Sequence, residues 1–181
     1  MGTFTKSFAS AGGYIAGKSE LVDYLRANSH TVFYGSAMSP PLVQQILTSM
    51  SVIMGRDKRE DGLKRMQTLA RNTRYLRAKL SEKGFTLYGH PESPVVPVMI
   101  YFLSKITYAS RWLIERGVGM VVVGFPATSM TTARARLCLS ASHTKQDLDK
   151  ALEVLNQLGD EISIRHNSRK KDENGSKSVD Y

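Results

Sequence analysis

The period of the apolar positions changes near residue 84. Upstream, apolar residues recur at spacings of three and four, the signature of helices with one buried face. ELVDYLRAN predicts a first helix, with Ser19 as N-cap and Leu21, Leu25 and either Val22 or Tyr24 turned inward. HTVFYGSAMS lacks that period, and its Gly and Ser predict a loop. Pro40-Pro41 opens the next helix, which LVQQILTSMSVIM continues. A long basic helix then runs from about residue 56 to Lys83, with Leu63, Met66, Leu69, Ala70, Thr73, Leu76 and Leu80 on one face. Gly84 is its left-handed stop.

Beyond Gly84 short strand-like runs alternate with helices. FTLYG is a short strand, and SPVVPVMIYF a longer one whose Pro97 predicts an edge or a bulge. SKITYASRWLIERG is an amphipathic helix closed by glycine. VGMVVVGF and ARARLCLSA are further strands, the second alternating as if one face were buried. TKQDLDKALEVLNQLGDEI is a final helix capped by Thr144, with Leu148, Ala151, Leu152, Leu155 and Leu158 aligned. This order predicts helices layered on a largely antiparallel sheet, a small α+β domain over residues 56–165. Residues 1–55 do not fit that pattern and read as the end of another domain, while residues 166–181 form a polar tail expected to be disordered.

Composition narrows the functions open to such a chain. The 181 residues carry a formal charge of +9, which raises the question of a polyanionic partner. Much of the excess sits between Arg56 and Lys83, where ten basic residues face four acidic ones. Lys64, Arg71, Arg74 and Lys79 fall mostly away from the apolar stripe there, as on any amphipathic helix. Neither the aromatic motifs of RNA-binding domains nor paired Cys/His ligands accompany the charge, so no nucleic-acid partner is expected. Cys138 is the only cysteine, which rules out an internal disulfide; its strand-like setting predicts a buried, inert thiol. No apolar run is long enough to span a bilayer.

Few residues invite chemistry. Lys6 lies between hydroxyls in GTFTKSFASAGG; its amine could form a Schiff base with an aldehyde such as pyridoxal phosphate, with Thr3, Thr5 and backbone N–H groups as phosphate donors. A surface lysine in a polar arm is the alternative from spacing alone. Arg134 and Arg136 alternate, so both point to one sheet face, where one or both could grip a carboxylate or simply be solvated at an edge. Ser36 could bind an anion, and His143 fits a role in satisfying backbone groups before the last helix. His30, His90 and His166 have no metal-ligand spacing, and no metal site is expected.

Taken together and in order, GTFTKSFASAGGYIAG, YGSAMSPP and VVVGFPATSMTTARARLCLSASHT resemble the pyridoxal-phosphate-dependent α-oxoamine synthases. Within that family the phrases MGTFTKSF, SPVVPVMIY and GVGMVVVGFPAT are most similar to the lysine-bearing subunit of the serine palmitoyltransferase branch. The resemblance runs from residue 1 to about 165. It implies the C-terminal part of a fold-type I transferase: the end of the large cofactor-binding domain followed by the small domain. It also implies decarboxylative condensation of L-serine with a long-chain acyl-CoA, giving a 3-keto sphingoid base, with pyridoxal phosphate as cofactor.

By the same resemblance Lys6 carries the cofactor and later moves the substrate's α-proton. Thr3 and Thr5 contact the cofactor near its phosphate, and Ser36 reaches the phosphate of the partner subunit's cofactor. Arg136 holds the amino-acid carboxylate. A heterodimer with a second subunit, on the cytosolic face of the endoplasmic reticulum membrane, is implied too. Two positions depart from the family pattern: Ala9 stands where glycine is usual, and Ser129 where proline is commoner. The family's aspartate for the pyridine nitrogen and its stacking histidine both precede the lysine, where this chain has five residues. The 181 residues alone are therefore expected to be inactive, with a non-catalytic subunit that binds its partner as the alternative.

Overall fold

The computed structural model describes residues 1–57 and 61–166. They fall into two compact units, Met1–Lys64 and the stretch from Arg65 onward. The first contains a two-stranded ribbon, β1 (Gly2–Thr3) antiparallel to β2 (Gly13–Tyr14), then helices α1 (Ser19–Asn28), α2 (His30–Tyr34) and α3 (Pro40–Ile53). Pro40 and Pro41 do open α3, since the first helical turn needs no N–H from them. Two expectations change. Residue 18, not Ser19, precedes the first helical residue, and Ser19 is helical; no side chain caps the turn. The segment expected as a loop begins with the short helix α2, and only residues 35–39 are irregular.

Helix α4 (Asp61–Glu82) leads into the second unit, where β3 (Val95–Tyr101), α5 (Leu103–Glu115), β4 (Val121–Val123), β5 (Ala133–Cys138) and α6 (Lys145–Glu161) follow. The sheet order is β3-β5-β4 and both pairings are antiparallel. The alternation read in ARARLC is real: Ala133, Ala135 and Leu137 are buried, while Arg134 and Arg136 lie on the opposite face. Inward residues of the sheet meet Leu76 and Leu80 of α4, Ala109 and Leu113 of α5, and Leu152, Leu155 and Leu158 of α6 in one core. The predicted α4 stripe is buried from Thr73 onward, but Leu63 and Met66 are exposed.

The same alternation overturns the expectation of a buried thiol. Cys138 is exposed, because it shares the outward parity of Arg136 and not the inward parity of Leu137. FTLYG forms no full strand; Leu87 makes a single bridge to Val98, flanked by hydrogen bonds from Tyr88 N to Pro97 O and from Met99 N to Thr86 O. These bonds explain Pro97. Its ring replaces an N–H on the side of β3 away from β5, so no bond to the central strand is lost. VGMVVVGF pairs over only three residues. The expected disordered tail lies, from residue 167, outside the described residues.

Two polar devices hold α6 and α4 in place. The Thr144 hydroxyl accepts from Asp147 N while the Asp147 carboxylate accepts from Thr144 N, a capping box. The bonds that Thr144 N and the Thr144 hydroxyl donate to the Asp147 carboxylate lower its pKa. Asn72, fully buried on α4, donates to the carbonyls of Ser140 and His143, and the His143 Nδ1 accepts from Ser140 N. His143 thus serves backbone groups, as its position suggested.

Tyr75 donates its hydroxyl to the Asp149 carboxylate. That bond, burial and the carboxylate charge push the phenol from 10.0 up to about 12. A raised pKa contributes stability that is complete below the unfolded value and is lost as pH rises through the folded one. Denaturant melts across that alkaline window are therefore expected to show a fall in stability whose slope lessens in Tyr75→Phe. Equal slopes in the two proteins would refute the assignment.

Candidate active site

Lys6 sits at the outward bend of a closed loop. Phe4 N donates to Gly12 O and Ser10 N to Phe4 O, each at 2.9 Å, and Ala9 N closes a turn on Lys6 O at 3.1 Å. The glycine pair has a specific job here. Gly12 adopts φ +91°, open to glycine at little cost. A Cβ on Gly13 would lie 2.7 Å from the Gly2 carbonyl oxygen, so β1 and β2 can approach only with hydrogen at that position. Inside the loop the Phe4 ring packs edge-on against Phe8 and tilted against Tyr14, both with centroids 5.2 Å apart.

The loop is bolted to α3. The Phe8 carbonyl accepts from Ser49 Oγ at 3.0 Å and from Gln45 Nε2 at 3.2 Å. Ser10 Oγ donates to the carbonyl of Leu42 at 3.1 Å. Lys6 is exposed, and its side-chain amine has no hydrogen-bond or ion-pair partner among the described residues. Thr5 Oγ1 donates to Thr3 Oγ1 at 3.3 Å, which brings the two hydroxyls together in the same loop. Sequence spacing could not reveal the α3 anchors, because they lie 32 to 41 residues away in the chain.

Ala9 has φ +50°, in the left-handed region. For a residue with a Cβ this conformation costs roughly 1 kcal/mol. That gives a backbone reason for the glycine expected at this position. Ser36 lies in the extended link between α2 and α3, exposed and without a hydrogen bond to the Lys6 loop. The link nevertheless reaches the glycine pair: the Met38 methyl lies 2.8 Å from where a Cβ on Gly12 would stand. A cleft of about 570 Å³ in this unit takes in Thr3, Gly13, Tyr14, Val22, Leu25 and Val32, but not Lys6.

Arg136 belongs to the second unit. It is exposed on the outer sheet face, opposite Pro97 on one side and Val121 on the other. No described residue forms a hydrogen bond or ion pair with its guanidinium, which leaves the planar donor fork available to a carboxylate. So Thr3, Thr5 and Lys6 share one loop, Ser36 lies in the same unit, and Arg136 stands in the other. Among the described residues no group of His, Cys, Asp and Glu could hold a metal ion.

The structure thus presents a primary amine in a loop with two hydroxyls, and an exposed arginine on the sheet of the other unit. The chain belongs to the aminotransferase class I and II family, whose model matches residues 1–155. It is 50% identical over 171 residues to serine palmitoyltransferase 3 of Homo sapiens, covering 94% of this chain and 31% of that protein. It is 56% identical over 159 residues to serine palmitoyltransferase 2 of Caenorhabditis elegans, covering 88% of this chain and 28% of that one. The chain thus spans about a third or less of the length of these relatives.

Among solved structures, a Sphingomonas wittichii serine palmitoyltransferase superposes with a TM-score of 0.73 at 21% identity, over 91% of this chain and 40% of that one. An 8-amino-7-oxononanoate synthase from Francisella tularensis gives 0.70 at 16% identity, over 90% and 45%. These likenesses show the fold: part of a fold-type I enzyme, with the antiparallel sheet expected of its small domain.

Gly13→Ala tests whether backbone approach shapes the Lys6 loop. The added methyl meets a carbonyl oxygen that cannot rotate away, so a loss of about 1–3 kcal/mol is expected. Limited proteolysis should then cut faster within residues 4–12. A variant as resistant as the parent would show that the glycine is not needed.

Proposed function

We propose that this chain is the lysine-bearing segment of a serine palmitoyltransferase, acting in the condensation of L-serine with palmitoyl-CoA to 3-ketosphinganine. The observation that carries the reading is the 50% and 56% identity to two such enzymes over most of the chain, together with a family match over residues 1–155 that includes both the Lys6 loop and the Arg136 strand. The cofactor of this reading is pyridoxal phosphate, which supplies an electron sink when bound. A structure of serine palmitoyltransferase with PLP has the same fold over 90% of this chain, at a TM-score of 0.70.

The residues fit that group. Lys6 offers an amine that no described residue occupies, on a loop tied by backbone and side-chain bonds. Thr3 and Thr5 offer hydroxyls on the same loop for the phosphate. The Lys6 amine would act as the base that takes the proton from serine Cα. Arg136 grips the serine carboxylate in a bidentate pair and orients it until carbon dioxide leaves. Ser36 contributes to the phosphate site of the partner subunit.

That partner is a second serine palmitoyltransferase subunit. Support comes from Val32, Phe33 and Tyr34 of α2, which are 57%, 65% and 85% exposed just ahead of Ser36. Deleting residues 30–45 is expected to abolish co-purification with that subunit; retained association would remove the interface from this region. A location on the cytosolic face of the endoplasmic reticulum membrane is part of the same proposal. Among the described residues no helix is long and apolar enough to cross a membrane.

A chimera tests the activity. The 181-residue chain alone is expected to yield no ketone from serine, palmitoyl-CoA and pyridoxal phosphate. Joined behind the upstream two thirds of the Caenorhabditis elegans relative and co-expressed with the second subunit, it should restore ketone formation. The same chimera with Lys6→Ala should be inactive. Turnover by the Lys6→Ala chimera would overturn the proposed role of the lysine.

A further inference from the structure

We propose that Arg134 is a second cation of the carboxylate site, a positioning residue that raises the anion affinity of Arg136 without replacing it as the clamp. The inference rests on the reading of Arg136 as the carboxylate residue and adds a function for its neighbour. Strand register carries it. Met99 and Val123 stand opposite Arg134, as Pro97 and Val121 stand opposite Arg136, and Val95 stands opposite Cys138. Directly opposed residues of antiparallel strands project to the same face. The outer face of this sheet therefore presents two guanidinium groups among Val, Pro and Met, with no acidic side chain at any of these positions.

Neither arginine has an ion-pair or hydrogen-bond partner among the described residues. Residues two apart on a strand lie about 7 Å apart, so the two charges repel each other unless an anion sits between or beside them. Met99, 1% exposed, and Val123, half-buried, lie beside Arg134 and reduce the water that would otherwise screen its charge. Arg134 is itself half-buried while Arg136 is exposed. The more buried cation supplies field, and the more exposed one supplies the reachable donor fork. A carboxylate bound at Arg136 gains from both.

Two measurements test this. In the first, acetate is titrated into the 181-residue chain while the arginine Nε–H resonances are followed by NMR. Arg134→Gln is expected to weaken acetate binding at Arg136 about three- to ten-fold at low salt, as expected for one charge removed at that separation. High salt should shrink the difference, and Arg134→Lys should restore most of the affinity. In the second, L-serine is titrated into the pyridoxal-phosphate-loaded chimera without acyl-CoA, and binding is followed through the cofactor absorbance. Arg134→Gln should raise the serine Kd by a similar factor, while Arg136→Gln raises it further.

Unchanged acetate affinity in Arg134→Gln, with melting like the parent's, overturns the proposal whatever the chimera does. Weakened acetate binding together with serine binding indifferent to Arg136→Gln leaves the anion pair in place and refutes the serine reading on which the proposal rests.

Discussion

One backbone carbonyl holds the candidate site together. The oxygen of Phe8 accepts from both Ser49 and Gln45 of α3, and with the Ser10 bond to Leu42 it fixes the loop that carries Lys6. A reactive lysine needs a fixed backbone beneath a free amine, because only a positioned group gains the advantage of an intramolecular reaction. The loop meets both needs. Backbone groups of Phe4, Lys6, Phe8, Ala9, Ser10 and Gly12 bond within the loop or to α3, and the Phe4 and Phe8 rings pack on each other, while the exposed Lys6 amine has no partner among the described residues. The glycine pair follows from the same constraint, since β1 and β2 can close the loop only where no side chain intervenes.

The second unit solves a different problem with the same economy of parts. Period-two alternation in β5 divides Ala133, Ala135 and Leu137 from Arg134, Arg136 and Cys138. The small inward residues let α5 and α6 approach the sheet, and the outward ones make a cationic face framed by apolar neighbours. A shift of register by one residue would bury two arginines and expose the core, so the placement of Arg136 and the stability of the domain are specified together. The capping box at Thr144 and the Asn72 bonds then fix where α6 leaves the sheet.

Much of this was legible in the amino-acid sequence, and the exceptions have physical causes. Long periodic segments such as α4 and α6 announced themselves, as did Gly84 and Gly117 at helix ends, both with positive φ. HTVFY failed because a single helical turn offers no second repeat from which to read a period. Cys138 was misplaced because residue type was weighed above parity, although Arg136 two positions earlier already showed the outward face. Lys6 stood out by its neighbours, yet spacing alone could not separate a reactive amine from a surface one. The reactive reading rests on the ordered family motifs, and the anchors on α3 needed the fold.

The central claim is that the Lys6 loop presents the amine that carries the cofactor. The most direct test is borohydride reduction of the chimera after incubation with pyridoxal phosphate, followed by peptide mapping. Stoichiometric pyridoxyl label on Lys6, with the other lysines unlabelled, is the predicted result. Label spread over surface lysines such as Lys18 and Lys64, or absent from Lys6 while the chimera still forms ketone, would contradict the account.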